Sequence, residues 1–174
     1  MKLTDGTITL RAPEPRDLDA LFRHENAPEA PETTRATAPV SRRMLEKYIE
    51  DYEATLSDGG GLRLMITLEE TGEAIGSIDL YDYNARDRRA YVSIFVEERM
   101  RRQGYAAKAL ELLCGYASGI LGMHQLAAEV AADNSASRLL FEACGFKTCG
   151  RLRSWIRVGR RYLDVLIYQR LFFN

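Results

Sequence analysis

The chain has 174 residues, a mass of 19.7 kDa and a formal net charge of −1, which predicts one domain and excludes strong counterion-release binding to bulk nucleic acid. Three cysteines without a CxxC pair and two distant histidines argue against a zinc site and a disulfide scaffold, and reduced cysteines favour a cytoplasmic protein. The first residues lack the apolar core of a signal peptide, and the sequence has no run of 18 apolar residues that would span a membrane.

The first half of the chain predicts one strand, two helices and a three-strand meander. Proline or an N-capping serine opens each helix, and apolar residues recur at helical spacing behind it. In chain order, we predict a strand at Thr7–Arg11, a helix opened by Pro15-Arg16-Asp17 with Leu18, Leu21 and Phe22 on one face, an irregular acidic loop at Ala27–Val40, a helix capped by Ser41 with Met44, Leu45, Tyr48, Ile49, Tyr52 and Leu56 at helical spacing, and strands at Leu62–Glu69, Ala74–Tyr81 and Arg89–Val96.

The second half alternates helices and strands, which favours an α/β fold with a mixed sheet of about seven strands. Glycines end both helices, and Gly159-Arg160 is a plausible hairpin turn. The predicted elements are a helix from Gly104 with Ala107, Leu110, Leu113, Cys114 and Ala117 on one face, a strand at Gln125–Ala131, a helix at Ser135–Cys144, and strands at Phe146–Val158 and Arg161–Leu171.

The stretch between the third meander strand and the next helix has the properties of a phosphate site. Gly104 and Ala106 are small enough for the backbone to approach a ligand, and the amides at a helix N-terminus attract phosphate. Arg99, Arg101 and Arg102 add positive charge beside them. The segment is neither a P-loop nor a GxGxxG fingerprint, and spacing alone is equally compatible with an amphipathic helix behind a solvated basic loop.

A second segment, from Asn134 to Phe146, follows the next strand and reads N-S-A-S-R-L-L-F-E-A-C-G-F. Together the two segments resemble the GNAT superfamily of acyl-CoA-dependent N-acetyltransferases, through its R/Q-x-x-G-x-G/A and N-x-x-S/A-x-x-L-Y/F-E-x-x-G-F motifs. The resemblance covers nearly the whole chain and is closest to the spermidine and ribosomal-protein N-terminal acetyltransferase branch. The features similar to that branch are Asp79-Leu-Tyr-Asp82-Tyr-Asn84, Arg88-Arg89-Ala90 and the Trp155…Asp164 hairpin.

The resemblance implies a single N-acetyltransferase domain over residues 1–174, about four helices and a splayed central strand pair. It also implies acetyl-CoA as co-substrate, bound by the backbone of the splayed strand, the amides of the basic loop and the helix that follows the next strand. The implied cofactor-binding residues are Ile94, Phe95, Val96, Arg101, Arg102, Gln103, Gly104, Tyr105, Ala106, Asn134, Ser137 and Phe141. Asn134 is also explained as a turn residue or helix N-cap, and Cys144 as a packed core cysteine.

The catalytic groups differ from the family pattern at one place. Many relatives carry a tyrosine, whose hydroxyl protonates the leaving thiolate, where this chain has Phe141. General acid catalysis typically contributes about 10²–10⁴-fold, so its loss slows the reaction without forbidding it. Ser137, Tyr105 or a water molecule are the alternatives that the sequence leaves open.

The acceptor amine must lose a proton before it attacks the thioester. We predict Asp79 as the base, because the resemblance implies an acidic residue at this place and strand alternation puts Asp79 on the face of Ser77 and Tyr81. Asp82 and Glu129 are weaker candidates, and an ordinary strand-edge carboxylate is the alternative role for Asp79.

The predicted reaction is direct acetyl transfer to a primary amine in a ternary complex, with a backbone N–H near Phe95 or Val96 polarising the thioester. Acidic residues at 25, 29, 32, 79 and 82 favour a polyamine or a protein N-terminus, and an aminoglycoside-like or small metabolite amine is the alternative acceptor. The sequence predicts neither a nucleic-acid nor a membrane partner and is compatible with a homodimer. Two alternative functions stay open. One is a non-catalytic acyl-CoA-binding or sensing module, in which Phe141 marks lost catalysis. The other is an RNA-associated protein that uses the arginines near the last hairpin.

Overall fold

The computed structural model describes residues 2–27, 38–52 and 56–172. Its eight strands are β1 (Leu3–Thr4), β2 (Ile8–Arg11), β3 (Leu62–Leu68), β4 (Ala74–Asn84), β5 (Arg89–Val96), β6 (Gln125–Ala131), β7 (Lys147–Val158) and β8 (Arg161–Leu171). Within the described residues, the four α-helices are α1 (Leu18–Glu25), α2 (Arg42–Glu50), α3 (Tyr105–Gly119) and α4 (Ser135–Ala143), with 3-10 turns at Pro15–Asp17 and Glu98–Met100.

The strands form one mixed sheet in the order β1-β2-β3-β4-β5-β6-β8-β7, which confirms the predicted α/β class. The parallel β5–β6 ladder pairs Arg89 with Gln125 and ends at Tyr91 with Ala127, although β5 continues to Val96. A parallel ladder that stops after three residue pairs is the pattern expected where two strands splay apart.

Apart from shifts of one residue, the structure differs from the predictions at an additional strand and at the ends of two elements. The additional strand β1 has two residues, too few for hydrophobic alternation to reveal. The chain before β3 pairs with the end of β4 through bonds between Tyr83 and the two glycines at 59 and 60, so β4 extends beyond Tyr81 to Asn84. Helix α2 ends at Glu50, and the Tyr52 hydroxyl instead bonds the backbone of Arg63.

The described residues group into two compact units, each treated by itself. The first contains residues 2–27, 38–52, 62–79 and 94–112. Its core packs α1 and α2 against β3 and β4, which confirms the predicted apolar helix faces. Met44 is the exception, because its side chain is 61% exposed. Buried members of this core are Ala20, Leu21, Leu45, Ile49, Met65 and Ala74.

The second unit contains residues 56–61, 80–93 and 113–172. In it β6 pairs with β8 along its whole length, and β8 pairs with β7 through the hairpin turn at Gly159-Arg160, as predicted. Alternate residues of β6 are buried, and α4 adds Phe141 to the interior. None of the three cysteines forms a disulfide: Cys114 and Cys144 are buried, which confirms the core assignment of Cys144, and Cys149 is exposed.

No helix among the described residues is long and apolar enough to cross a membrane. No group of three or more potential metal-ligating side chains is found in that part of the chain. The predicted acidic loop Ala27–Val40 lies largely outside the described residues, and so do Glu29 and Glu32.

Candidate active site

The end of β5 lies tightly against β4 in the first unit. The Glu97 N–H donates to the Ile75 carbonyl over 2.9 Å. A Cβ at Gly76 would lie 2.2 Å from the Phe95 carbonyl oxygen, so any side chain there would displace this backbone. The backbone of residues 94–96, which the resemblance assigns to the pantetheine arm, is therefore positioned by a glycine in the neighbouring strand.

Helix α3 begins directly after a glycine in an unusual conformation. Gly104 has φ +82°, in the left-handed region that favours glycine, and its carbonyl accepts from the Lys108 N–H over 3.1 Å. A Cβ at this position would meet no atom within 4 Å, so the conformation, rather than space, requires glycine. The first N–H groups of a helix lack intrahelical partners, and the helix dipole attracts anions. The pyrophosphate role of these amides stays a prediction.

Two of the three arginines that the sequence placed beside the phosphate are engaged with protein groups. The Arg99 Nε donates to Glu97 over 2.7 Å, and hydrogen bonds to carboxylates raise the pKa of Arg99. The Arg101 Nε donates to the Val96 carbonyl over 2.8 Å, and its guanidinium lies 5.8 Å from the centroid of the Phe95 ring. Both side chains therefore hold the end of β5.

Arg102 differs from its neighbours. It is exposed with φ +62°, and no residue in the described ranges pairs with its side chain. The next residue, Gln103, donates from Nε2 to the Arg99 carbonyl over 3.2 Å. Arg102 is thus the arginine of this loop whose charge is available to an anionic ligand next to Tyr105 and the α3 N-terminus.

Glu97, directly after β5, is a buried carboxylate surrounded by donors. Arg23 donates from Nε and Nη2 over 3.2 and 2.9 Å, and the His24 Nε2 lies 3.2 Å away. Burial alone would raise the pKa of Glu97, but the hydrogen bonds from Arg23, Arg99 and His24 lower it. This carboxylate is therefore ionised and links α1 to the end of β5.

Asp79, the predicted base, belongs to a second ionic cluster of the first unit. The Arg63 Nε and Nη2 donate to its two carboxylate oxygens over 2.8 and 3.1 Å, and the Arg63 Nη1 donates to Glu25 over 2.5 Å. Burial alone would lower the pKa of Arg63, but the charges of Asp79 and Glu25 raise it. Burial also raises the pKa of Tyr48, and that of Tyr52 to about 12. The role of Asp79 as base stays a prediction, and its position is that of a paired carboxylate.

The remaining predicted cofactor residues lie in the second unit. The Asn134 side-chain oxygen accepts from the Ser137 N–H over 3.0 Å, so Asn134 is the N-cap of α4. Phe141 is 3% exposed, and its ring packs edge-on to Phe146 at 5.1 Å and stacks on Tyr168 at 6.2 Å. The position of the missing tyrosine is therefore an apolar core position.

The two weaker candidates for the base differ in environment. Glu129 is half-buried on β6, on the face opposite to the buried Leu126, Ala128 and Val130. Asp82 is exposed with φ +49° and accepts from Arg89 over 3.4 Å. Their catalytic roles, and that of Ser137, stay predictions.

Sequence reasoning missed four residues that define the described site. Gly76 interrupts an apolar strand, a recognised signal for close backbone approach. Glu97 is an acid at the end of a strand before a basic loop, which is a weaker signal. His24 and Arg63 carry no local signal, because their partners are 73 and 16 residues away along the chain.

Residues 7–147 match the family model of the acetyltransferase (GNAT) domain. The uncharacterized N-acetyltransferase p20 of Bacillus licheniformis is 24% identical over 164 residues, which cover 94% of this chain and 92% of p20. The putative ribosomal N-acetyltransferase YdaF of Bacillus subtilis is 25% identical over 179 residues, which cover 94% of this chain and 91% of YdaF. The crystal structure of spermidine N-acetyltransferase from Vibrio cholerae, in complex with CoA and spermine, is similar with a TM-score of 0.83 and 25% identity, and the match covers 96% of each chain.

The structural match covers nearly the whole of this mixed-sheet domain. The family model alone spans most of the chain, from the residue before β2 to the first residue of β7. The chain therefore belongs to the GNAT acetyltransferase family, as an acetyl-CoA-dependent N-acetyltransferase.

Proposed function

We propose that this enzyme transfers the acetyl group of acetyl-CoA to a primary amine, by direct attack of the amine on the thioester within a ternary complex. The acceptor is a polyamine-like amine or the N-terminal amine of a protein. Catalysis rests mainly on holding the two reactants together, which is worth up to about 7–11 kcal/mol in well-oriented systems. No covalent acetyl-enzyme is required.

The junction of β5 with α3 is the observation that carries the donor half of this proposal. Within one unit it brings together the backbone of residues 94–96, the glycine-initiated N-terminus of α3 and the unpaired charge of Arg102. Backbone amides suit the amide-rich pantetheine arm, and the N-terminal amides of α3 suit a pyrophosphate. We assign to Asn134 and Ser137 of α4 a supporting role toward the same cofactor, as the resemblance implies.

The ionic cluster of Glu25, Arg63 and Asp79 supports a cationic acceptor. Two carboxylates share the guanidinium of Arg63, which gathers acidic groups at this position. It is largely buried, where a charge acts more strongly on a nearby ammonium than it does in water. Relatives named for ribosomal and spermidine acetylation also act on amines, and one of them is complexed with spermine.

The leaving thiolate receives its proton without the tyrosine of many relatives. Phe141 has no hydroxyl, and its ring is enclosed by aromatic neighbours. A thiol has an ordinary pKa of about 8.5, so its thiolate is a fair leaving group without an acid. We keep Ser137 of α4 as the candidate acid and a solvent proton as the alternative donor.

A panel of amines tests the function. Purified enzyme is mixed with acetyl-CoA and spermidine, a short peptide with a free N-terminus, an aminoglycoside or a small monoamine. Released CoA thiol and the acetylated product are measured by absorbance and mass spectrometry. We expect turnover with at least one cationic amine, whereas acetyl-CoA binding without turnover on any amine would identify an acyl-CoA sensor instead.

The cofactor site is tested separately by substituting two glycines, one directly before α3 and one at its last residue. Gly104→Glu puts a negative charge at the N-terminus of the helix, and Gly119→Glu makes the same change at its other end. We expect Gly104→Glu to weaken acetyl-CoA binding by about tenfold or more in calorimetry, and Gly119→Glu to change it little. Gly104→Ala separates the strain at φ +82° from the added charge. Equal affinity of folded Gly104→Glu and wild type would show that the cofactor binds elsewhere.

A further inference from the structure

His24 is a buried imidazole that the donor and acceptor assignments above leave unused. It lies near the C-terminal end of α1, and its side chain is 3% exposed. Its Nε2 lies 3.2 Å from a Glu97 oxygen. Glu97 also accepts from Arg23 and Arg99, which keep it ionised. An ionised carboxylate only accepts, so the Nε2 carries the hydrogen and donates it.

This hydrogen bond leaves the other ring nitrogen as an acceptor with a lone pair. The Nδ1 of His24 is buried, and none of the described residues offers it a hydrogen-bond partner. Leaving a buried polar group unsatisfied costs about 1–3 kcal/mol, so such a group in a native protein requires an explanation. A bound ligand that donates an N–H or O–H to this atom would supply the missing bond.

The ring lies beside the strand proposed to hold the thioester. The centroids of the His24 and Phe95 rings are 4.8 Å apart, and Phe95 belongs to the end of β5. Both residues are in the first unit, together with the α3 N-terminus. His24 is therefore close to the backbone at which the acetyl group is expected.

The surroundings of His24 keep it neutral before the reaction. Burial, with smaller contributions from the positive charges of Arg23 and Arg63, lowers the pKa of His24 below its ordinary value, while Glu97 opposes this shift. Arg63 is itself paired with Glu25 and Asp79 on the neighbouring elements. A neutral imidazole held by a carboxylate accepts a proton on its free nitrogen, and the carboxylate then stabilises the imidazolium.

We propose, on the basis of the proposed function, that His24, rather than Asp79, is the general base of the reaction and that Glu97 is its positioning residue. The Nδ1 takes one proton from the acceptor ammonium, directly or through one water molecule. The freed nitrogen lone pair attacks the thioester carbonyl carbon and forms the C–N bond. The tetrahedral intermediate then expels the CoA thiolate, which takes the second proton from that nitrogen, and His24 releases its proton to solvent.

His24→Gln tests this role, because its amide N–H can still donate to Glu97 while nothing remains to accept a proton at the Nδ1 position. We expect kcat with an acceptor amine of pKa about 10 to fall by about 10²-fold or more at neutral pH, with a smaller effect on KM. The loss should shrink as pH rises, because solvent then deprotonates the amine. With a weakly basic amine, already neutral at the assay pH, the same variant should lose only a few-fold.

The other histidine provides the matched control. His124 is exposed, so His124→Gln should leave kcat and its pH dependence unchanged. His24→Asn is the second variant if His24→Gln does not fold. The wild type needs no substitution: its kcat with the basic amine should decline at acidic pH, as His24 becomes protonated at its lowered pKa, below the ordinary imidazole value of about 6.5. A flat wild-type profile would overturn the proposal.

The outcomes separate this inference from the function on which it rests. A wild-type enzyme that acetylates no amine overturns both. A wild type that acetylates an amine, with a folded His24→Gln variant that keeps its kcat, overturns the role of His24 alone. If His24→Gln lowers kcat equally with the strongly and the weakly basic amine, the role of His24 as base is also overturned. A purely structural defect would affect both acceptors alike.

Discussion

The interiors of the two units differ in chemistry. The first contains charged and titratable groups, with His24, Arg63 and Glu97 engaged in hydrogen bonds and ion pairs. The second is filled around Phe141 and Cys144 by aromatic and aliphatic side chains. Buried charges add little net stability, so their presence where the reactants are expected points to function. The apolar interior, in contrast, is expected to supply stability through burial and packing.

The largest predicted effect concerns the apolar interior. Phe141→Ala removes a ring that is 3% exposed and leaves a cavity between Phe146 and Tyr168. We expect the free energy of unfolding to fall by about 3–5 kcal/mol, measured by denaturant titration. Leu139→Ala on the same helix is the control, because Leu139 is 66% exposed and its loss should stay within about 0.5 kcal/mol. Similar losses in the two variants would contradict the packing of Phe141.

The second prediction concerns the buried ionic cluster. Arg63→Met keeps much of the side-chain length but leaves Glu25 and Asp79 without their shared guanidinium. Removing one partner of a fully buried ion pair lowers the free energy of unfolding by about 3–5 kcal/mol. Because these side chains keep some contact with solvent, we expect Arg63→Met to lower it by about 3 kcal/mol, at the lower end of this range.

The matched control for this change is Arg42→Met. Arg42 pairs with Asp19 on the surface, where solvent screens an ion pair and it contributes little to stability. Denaturant titrations of both variants measure the difference. If Arg63→Met were no more destabilising than Arg42→Met, the ionic interior of the first unit would be energetically equivalent to its surface.

The smallest predicted effect is a pH dependence of stability. The unfolded chain protonates His24 near its ordinary pKa of about 6.5, whereas the folded protein lowers this pKa by burial. The unfolded state therefore binds more protons below this pH, and the free energy of unfolding falls as pH drops. We expect the Tm to fall less steeply between about pH 7.5 and about pH 5.5 in His24→Gln than in wild type.

The same measurement of Tm against pH on His124→Gln shows whether the pH dependence of stability arises from the buried His24. His124 is exposed, so its removal should leave the slope of the wild type unchanged. A slope that is insensitive to His24→Gln would mean that the folded and unfolded states protonate this residue alike.

Local patterns were sufficient for most of the fold. Apolar spacing predicted the buried face of α3, and Gly159-Arg160 predicted the final hairpin. The end of α2 could not be predicted this way, because Tyr52 continues the helical spacing yet bonds the backbone of Arg63 on β3. A helix boundary decided by a tertiary contact leaves no trace in the local sequence.

The candidate site was predicted unevenly for the same reason. The loop around Gly104 has a local motif, and its glycine has the positive φ that such a turn requires. The pairing of Arg63 with Glu25 and Asp79 depends on how β3, β4 and α1 meet, so the acidic residues appeared as a charged surface and not as a shared ion cluster. The position of the Arg101 guanidinium near the Phe95 ring could not be predicted from residue spacing either.

The exposure of Cys149 has a practical consequence for enzymology. Among the three cysteines, none of which forms a disulfide, it is the exposed one, whereas Cys114 and Cys144 are buried. A thiol reagent that follows CoA release should therefore react with about one protein thiol per chain in the native state, because exposed thiols react far faster than buried ones. Cys149→Ser would remove this stoichiometric baseline, and the native thiol offers a single attachment point on β7 for a fluorophore that reports ligand binding.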